Sequence, residues 1–417
     1  MMNKIIATLF IYLCLCSCSK ELDLYPRTGI SPDKVTPNDL KALENGMYNS
    51  VQNNPTREAW ITFDIIGGNL GNTNTINNTL NPLNGLVVST WKGYYSALYQ
   101  VNNVLSITEA LPLDENTQRI RGTAHYFRAY LFFSLTTRWG DIPLLTVNSL
   151  DKPARTPQKQ VWEQIEKDLQ LAKGFLADSK SYYYVSQDAV LALQARVFLS
   201  QNKKSEASMV AEELITNGKY ALDNFDKIFR KQANKEVIFA FENLTTESSN
   251  TISTLFYNYG HPNKGSYVYP PSKDVIDLFT EEDKRKAISL INIGGQDCIN
   301  KYPSGQTGTD PVIISRIAEL YLISAETSDL SLGTTRLNEL RAARGLKPVH
   351  PATTQEMLKL VLEERRKELL AEGFAYYDYV RTNTAKQYLG LLDFQHLLPI
   401  PGGELQLNEK LTPNPGY

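Results

Sequence analysis

Between residues 124 and 135 the apolar and aromatic side chains of Tyr126, Phe127, Tyr130, Leu131, Phe132, Phe133 and Leu135 cover most of the circumference of a helix. A helix apolar nearly all round is buried rather than half-exposed, so this stretch predicts the central helix of a large helical core. Arg128 and Arg138 fall inside the same run. Burial there demands carboxylate or carbonyl partners, because an unpaired buried charge costs on the order of several kcal/mol. Trp139-Gly140-Asp141 ends the helix, since glycine tolerates the left-handed conformation of a C-terminal cap and Pro143 cannot continue a helical ladder.

The same periodicity predicts further helices over 37–51 (Leu40, Leu43, Met47, Val51), from Ser89 to Pro112 (Leu98, Val101, Val104, Leu105), over 161–176, over 186–199 and over 205–215. Alanines at 189, 192, 195, 207 and 211 suit close helix contacts and give these pairs the look of tetratricopeptide units, with too loose a match for a regular array. Residues 236–241 read as a short buried strand, and helices are expected over 272–285, 312–328, 337–345 and from Glu364 onward. Two stretches break the pattern. Residues 52–88 are rich in asparagine and glycine, which helix interiors disfavour, and 243–310 is loop-rich with Tyr257, Tyr259, Tyr267 and Tyr269. Loops of this length are surface features that are either simply solvated or functional. Trp60 at the edge of the first supplies a flat apolar face beside amide groups, its alternative being core packing.

An Arg128-Ala129-Tyr130-x-Phe132-Phe133 helix running into Arg138-Trp139-Gly140-Asp141-Ile142-Pro143-Leu144 resembles the signature helix of the SusD/RagB family, the surface nutrient-binding lipoproteins of Bacteroidetes. Trp91, Tyr95 and Asn102 are similar to a second family helix. Further elements match from Arg316 to Glu326, from Leu337 to Gly345, from Glu364 to Gly373 and from Tyr377 to Arg381, so the resemblance covers essentially the whole chain after Cys18. It implies a mainly α fold, a tetratricopeptide-like superhelix of helical pairs with long loops and few short strands. It also implies a non-catalytic lid on a SusC-like TonB-dependent transporter of the outer membrane, capturing oligosaccharides. Some relatives take peptides, so a peptide-capturing lid is the nearer alternative and a helical scaffold without a small ligand the more distant one. Ligand-binding candidates, chosen by residue type and loop placement, are Trp60, Asn72, Asn74, Tyr257, Tyr259 and Tyr267.

Composition narrows the remaining classes. Lys+Arg 43 against Asp+Glu 45 leaves a formal net charge of -2, with no polyelectrolyte field to draw nucleic acid. Three of the four cysteines, Cys14, Cys16 and Cys18, crowd the N-terminus, which excludes a disulfide framework and a four-thiolate zinc site. Residues 1–4 carry positive charge and 5–16 form an apolar run short of the roughly 20 residues that span a bilayer. Residues 1–17 are therefore expected to be a signal peptide, with Leu15-Cys16-Ser17-Cys18 as a lipobox that leaves Cys18 lipidated at the start of an 18–417 domain. An ordinary signal peptide and an uncleaved anchor are the alternatives. The polar leader Ser19-Lys20-Glu21-Leu22-Asp23 is similar to signals for the outer face of the outer membrane.

Chemistry is sparse. His125, His261, His350 and His396 show no zinc spacing, Ser31-Pro32-Asp33-Lys34 lacks the companion motifs of acyl-transfer enzymes, and no carboxylate pair is set apart as acid and base. No cofactor, metal or catalytic residue is expected. The charges around Glu363 and Lys367 read as internal ion pairs that lock helices, His125 as a satisfied core histidine, and Cys298 as a small buried packer.

Overall fold

The computed structural model describes residues 35–417 apart from 72, 180, 247–250 and 263, so Cys18 and the expected signal peptide lie outside the described residues. Five helices come first: α1 (Leu40–Asn53), α2 (Arg57–Ile65), α3 (Thr73–Thr79), α4 (Gly85–Ala110) and α5 (Glu115–Trp139). They are followed by α6 (Gln158–Phe175), α7 (Gln187–Ser200) and α8 (Lys204–Thr216). Past a less regular middle come α9 (Ile317–Thr327), α10 (Leu330–Ala343), α11 (Thr354–Glu368) and α12 (Ala375–Arg381). Strand β1 (Val237–Phe241), β2 (Leu290–Ile293), β3 (Gln296–Ile299) and β4 (Val312–Arg316) make two antiparallel pairs, β1 with β4 and β2 with β3. The fold is mainly α, as expected.

The central helix is α5. Every residue from Gly122 to Trp139 is buried, because the helix is wrapped by α1, α4 and α6. Asp114 caps its start by accepting the Thr117 N–H at 2.8 Å. At its end Gly140 adopts φ +71°, and the Trp139 indole N–H donates to the Pro399 carbonyl at 3.0 Å, fastening the C-terminal segment to the core. Both arginines find the partners that burial demands. Arg128 donates to Asp168 at 2.9 and 2.7 Å, and Asp168 also meets His125 at 2.8 Å, whereas Arg138, among the described residues, donates to the Ser134 and Ala59 carbonyls alone, at 2.9 and 3.0 Å. Beyond α6, successive helices stack on their chain neighbours through α8, and α9 packs on both α8 and α10.

Three expectations need correction. Residues 312–316 are strand rather than the start of a helix; the β-branched run Val312-Ile313-Ile314 fits a pleated partner, and β1 supplies it. Within 272–285 only Lys273–Ile276 is helical, and the chain then turns so that Arg285 enters the core. The 52–88 stretch is not one loop. It holds α2, in which every residue from Ala59 to Ile65 is buried, and α3, so tertiary burial overrides the local asparagine and glycine content.

A knot of buried charge joins the C-terminal half. Glu368 of α11 accepts from Arg285 at 2.8 Å, from Arg344 at 3.0 and 2.8 Å, and from Arg316. Glu236 accepts from Arg316 at 2.9 Å and from Arg344 at 2.7 Å, and Glu372 binds Lys301 at 2.8 Å and Arg316 at 2.9 Å. Lys367 lies 3.4 Å from the buried Glu364 and 3.8 Å from the half-exposed Glu363 on its own helix, and Glu364 accepts from Arg341 at 2.8 Å and from Arg285, so the internal lock runs through Glu364 and not Glu363. Burial alone pushes the Glu368 carboxyl up, but Arg344, Arg316 and Arg285 outweigh it and hold it well below its usual value. Glu364 and Glu372 are likewise held down by their cations against the pull of burial.

Replacing Glu368 by glutamine should lower stability by about 3–5 kcal/mol in urea unfolding at neutral pH, because it leaves three guanidinium groups without their shared counter-charge. Carboxylates held low in the fold contribute stability that is present above their unfolded value and lost as pH falls through the folded one. Urea titrations of the unaltered chain should therefore show stability falling steeply once the pH drops below 4.5, the ordinary glutamate value.

Candidate functional site

The two stretches that broke the helical pattern meet in space. Leu70 and Pro271 form a β-bridge, the Gly71 N–H donates to the Pro270 carbonyl at 2.7 Å, and Ser272 donates to the Asn69 and Gly68 carbonyls at 2.9 and 2.7 Å. Arg57, at the start of α2, reaches across to the Thr254 hydroxyl at 2.9 Å. Behind this seam stands Asp64. It accepts the Ala371 and Gly373 N–H groups at 3.1 and 2.6 Å and the Asn69 amide at 2.7 Å. Burial pushes the Asp64 carboxyl up to about 6 against the pull of those hydrogen bonds. The seam is thus fixed to the frame by way of the turn that follows α11.

The 254–271 segment carries aromatic and polar groups of its own. Tyr259 is 74% exposed, and the Lys264 ammonium sits 4.8 Å from its ring centre. Tyr267 is half-buried and holds φ +50°, a left-handed conformation that a tyrosine adopts only when its surroundings impose it, and its hydroxyl donates to the Asp297 carbonyl at 3.0 Å. Tyr267 lines a depression of about 330 Å³ with Pro271, Lys273, Gln296 and Asp297. Tyr269, also half-buried, faces Glu58 and Arg57; burial and then Glu58 push its hydroxyl up. Among the described residues no group of three His, Cys, Asp or Glu is placed to hold a metal ion, and no helix is long and apolar enough to cross a membrane.

A second, larger depression of about 600 Å³ lies along α4, with Trp91, Tyr95 and Tyr99 at successive four-residue steps and Leu145, Glu404 and Leu407 opposite. Tyr99 is 53% exposed.

Residues 31–199 match a family model described as starch-binding and associating with the outer membrane, and residues 297–393 match the SusD family model. The chain belongs to the SusD/RagB family. Two similar relatives from Formosa agariphila are SusD-like protein P2, 26% identical over 99% of both chains, and SusD-like protein P38, 24% identical over 92% of this chain and 94% of that one. Among solved structures, a laminarin-binding SusD-like protein superposes with TM-score 0.80 at 23% identity, covering 91% of this chain and 99% of the other. Surface glycan-binding protein A from Bacteroides thetaiotaomicron, in complex with laminarihexaose, gives 0.78 at 19% identity over 91% and 100% of the two chains. A SusD superfamily protein from Parabacteroides distasonis gives 0.82 at 20% identity over 92% and 100%.

In this SusD-family chain the residues that carried the resemblance build the frame. The Tyr95 hydroxyl donates to the Pro143 carbonyl at 2.9 Å and the Asn102 amide to the Leu145 carbonyl at 2.8 Å, so together they strap the segment after α5 onto α4. Arg316, Arg344 and Glu368 belong to the charge knot. Of the six ligand-binding candidates, Trp60 is not on a surface loop: it is 8% exposed inside α2, stacked on Tyr130 with ring centres 6.3 Å apart. Tyr257 is buried as well, stacked on His261 at 3.8 Å with its hydroxyl on Asn300 at 2.8 Å, and burial pushes that hydroxyl up. Tyr267 borders the depression beside Pro271, and Tyr259 is exposed on the same 254–271 segment. Asn74 falls in α3, and Asn72 lies outside the described residues. The sequence reading missed Arg57, Glu58 and Tyr99. The spacing of Trp91, Tyr95 and Tyr99 was a readable signal for an aromatic ridge on one helix face, whereas nothing local marks Arg57 or Glu58.

Gly373 holds φ +84° and any Cβ there would run into the Trp60 carbonyl oxygen. Gly373→Ala should lower the urea midpoint by the equivalent of about 1–3 kcal/mol, since it strains the turn that carries the Asp64 anchor.

Proposed function

We propose that this SusD-family chain is a non-catalytic carbohydrate-binding protein that captures oligosaccharides on the seam between residues 57–79 and 254–271. The exposed ring of Tyr259, on a segment strapped to a rigid frame, is the observation that carries this reading. A tyrosine face stacks on the C–H surface of a sugar ring, and the Lys264 ammonium beside it, with Arg57 and Glu58 across the seam by Thr254 and Tyr269, suits its hydroxyls. A segment already ordered before binding loses less entropy on capture. Glycan binding in similar folds, one crystallised with laminarihexaose, points the same way. Captured cargo would pass to a SusC-like TonB-dependent transporter, with the protein tethered through Cys18 to the outer membrane and facing outward. Asn72 and Asn74 remain candidates.

The groove along α4 gives a second reading, favoured by its greater volume and by the half-exposed Tyr99. Calorimetry of the purified chain against laminarihexaose, other plant and host oligosaccharides, and mixed peptides separates the readings. Heat with a glycan, weakened about 10-fold or more by Tyr259→Ala (roughly 1.4 kcal/mol) and unchanged by Tyr99→Ala, is the expected result. The reverse pattern would move the site to the groove, heat with peptides alone would replace the cargo, and no heat with anything would defeat the proposal.

A further inference from the structure

Inside the frame, where α2, α5, α7, α11 and α12 come together, lies a cavity of about 70 Å³. At about 10–15 Å³ for each water-sized occupant, it has room for a few small species and none for a sugar. Its wall carries three buried N–H donors that meet no acceptor among the described residues: Trp60 Nε1, Arg138 Nε and Arg365 Nη1. The three residues are 8%, 6% and 3% exposed. Buried donors without acceptors are costly and rare in folded proteins, and three on one small wall specify an acceptor.

Charge specifies it further. Arg196, Arg365 and Arg381, on the same wall, are paired with Glu319, Asp378 and Glu326. Arg138 differs. Among the described residues its terminal nitrogens reach backbone carbonyls and no carboxylate, and its guanidinium rests 4.2 Å from the Phe63 ring centre and 5.2 Å from that of Tyr94. The two carboxylates on the wall are already engaged, Asp378 by Arg365 and Arg381, and Glu372 by Arg316 and Lys301. A neutral water would bring protons of its own that also need acceptors, and it would leave the Arg138 charge uncompensated.

We infer that this cavity binds a small monovalent anion of the halide class, held by the N–H groups of Arg138, Arg365 and Trp60. The anion completes the pairing of the interior cations and ties α2, which carries one side of the seam, to α5 and α11.

Thermal unfolding of the full chain, with chloride exchanged for gluconate at constant ionic strength, tests this. The melting temperature should rise with chloride and saturate, because an anion bound only to the folded state stabilises it by mass action. Trp60→Phe keeps an aromatic side chain and removes the N–H donor, so it should raise the half-saturating chloride about 10-fold. Arg138→Gln should abolish the dependence. Should Arg138→Gln fail to fold, crystals of the unaltered chain soaked in bromide decide the matter: an anomalous peak within reach of Trp60 Nε1 and Arg138 Nε is expected. No peak together with a melting temperature indifferent to chloride would mean ordered water only, and would overturn the inference.

Discussion

Glu368 gathers Arg285, Arg316 and Arg344 around one carboxylate in a place water does not reach, and the rest of the C-terminal half depends on that meeting. The four side chains come from a turn after a short helical stretch, from the β4–α9 junction, from the end of α10 and from the last turn of α11. Apolar faces of α9, α10 and α11 pack together beside them, through Leu322, Leu337, Leu340 and Val361, and the charge knot fixes their register. Removing water strengthens each attraction, and the same dryness makes every incomplete pairing costly, so the knot tolerates one arrangement of its members. Lys301 extends the knot by donating to the Glu368 carbonyl at 2.7 Å as well as to Glu372, which brings the middle of the chain under the same constraint.

From there rigidity passes outward by short steps. The turn after α11 offers its Ala371 and Gly373 N–H groups to Asp64, Asp64 holds Asn69, and the chain on either side of Asn69 carries the bridge to Pro271 and the bonds from Ser272. The tyrosine-bearing segment is therefore presented by a frame whose order comes from elsewhere. Tyr267 shows the consequence, since a left-handed tyrosine persists only where its surroundings over-determine it.

Much of the frame was legible in the sequence because its signals are local or periodic. The all-apolar face of α5, the capping Gly140 and the paired arginines followed from patterning and from the penalty on buried charge. β4 was misread because a short apolar run such as Val312-Ile313-Ile314 suits either state, and its partners, Phe241 for Val312 and Ala240 for Ile313, lie far upstream in the chain. Trp60 was misplaced for a related reason: asparagines and glycines around α2 suggest a loop, and only the aromatic shell of Tyr130 and Phe241 turns that stretch into buried helix. Surface chemistry was the least legible part. Tyr257, Tyr259 and Tyr267 are close in sequence and alike in type, yet one is buried, one projects into solvent and one is pinned to Asp297, a difference set by tertiary contacts alone.

The central claim is that a frame fixed by buried charge presents the seam as a preformed capture surface. Amide hydrogen exchange of the chain, with and without a glycan that gives heat in solution, tests it most directly. The account predicts slowed exchange confined to residues 57–79 and 254–271, with the amides of α5 and α11 unchanged. Protection centred on α4 around Tyr99, or a change running through the frame helices, would contradict it.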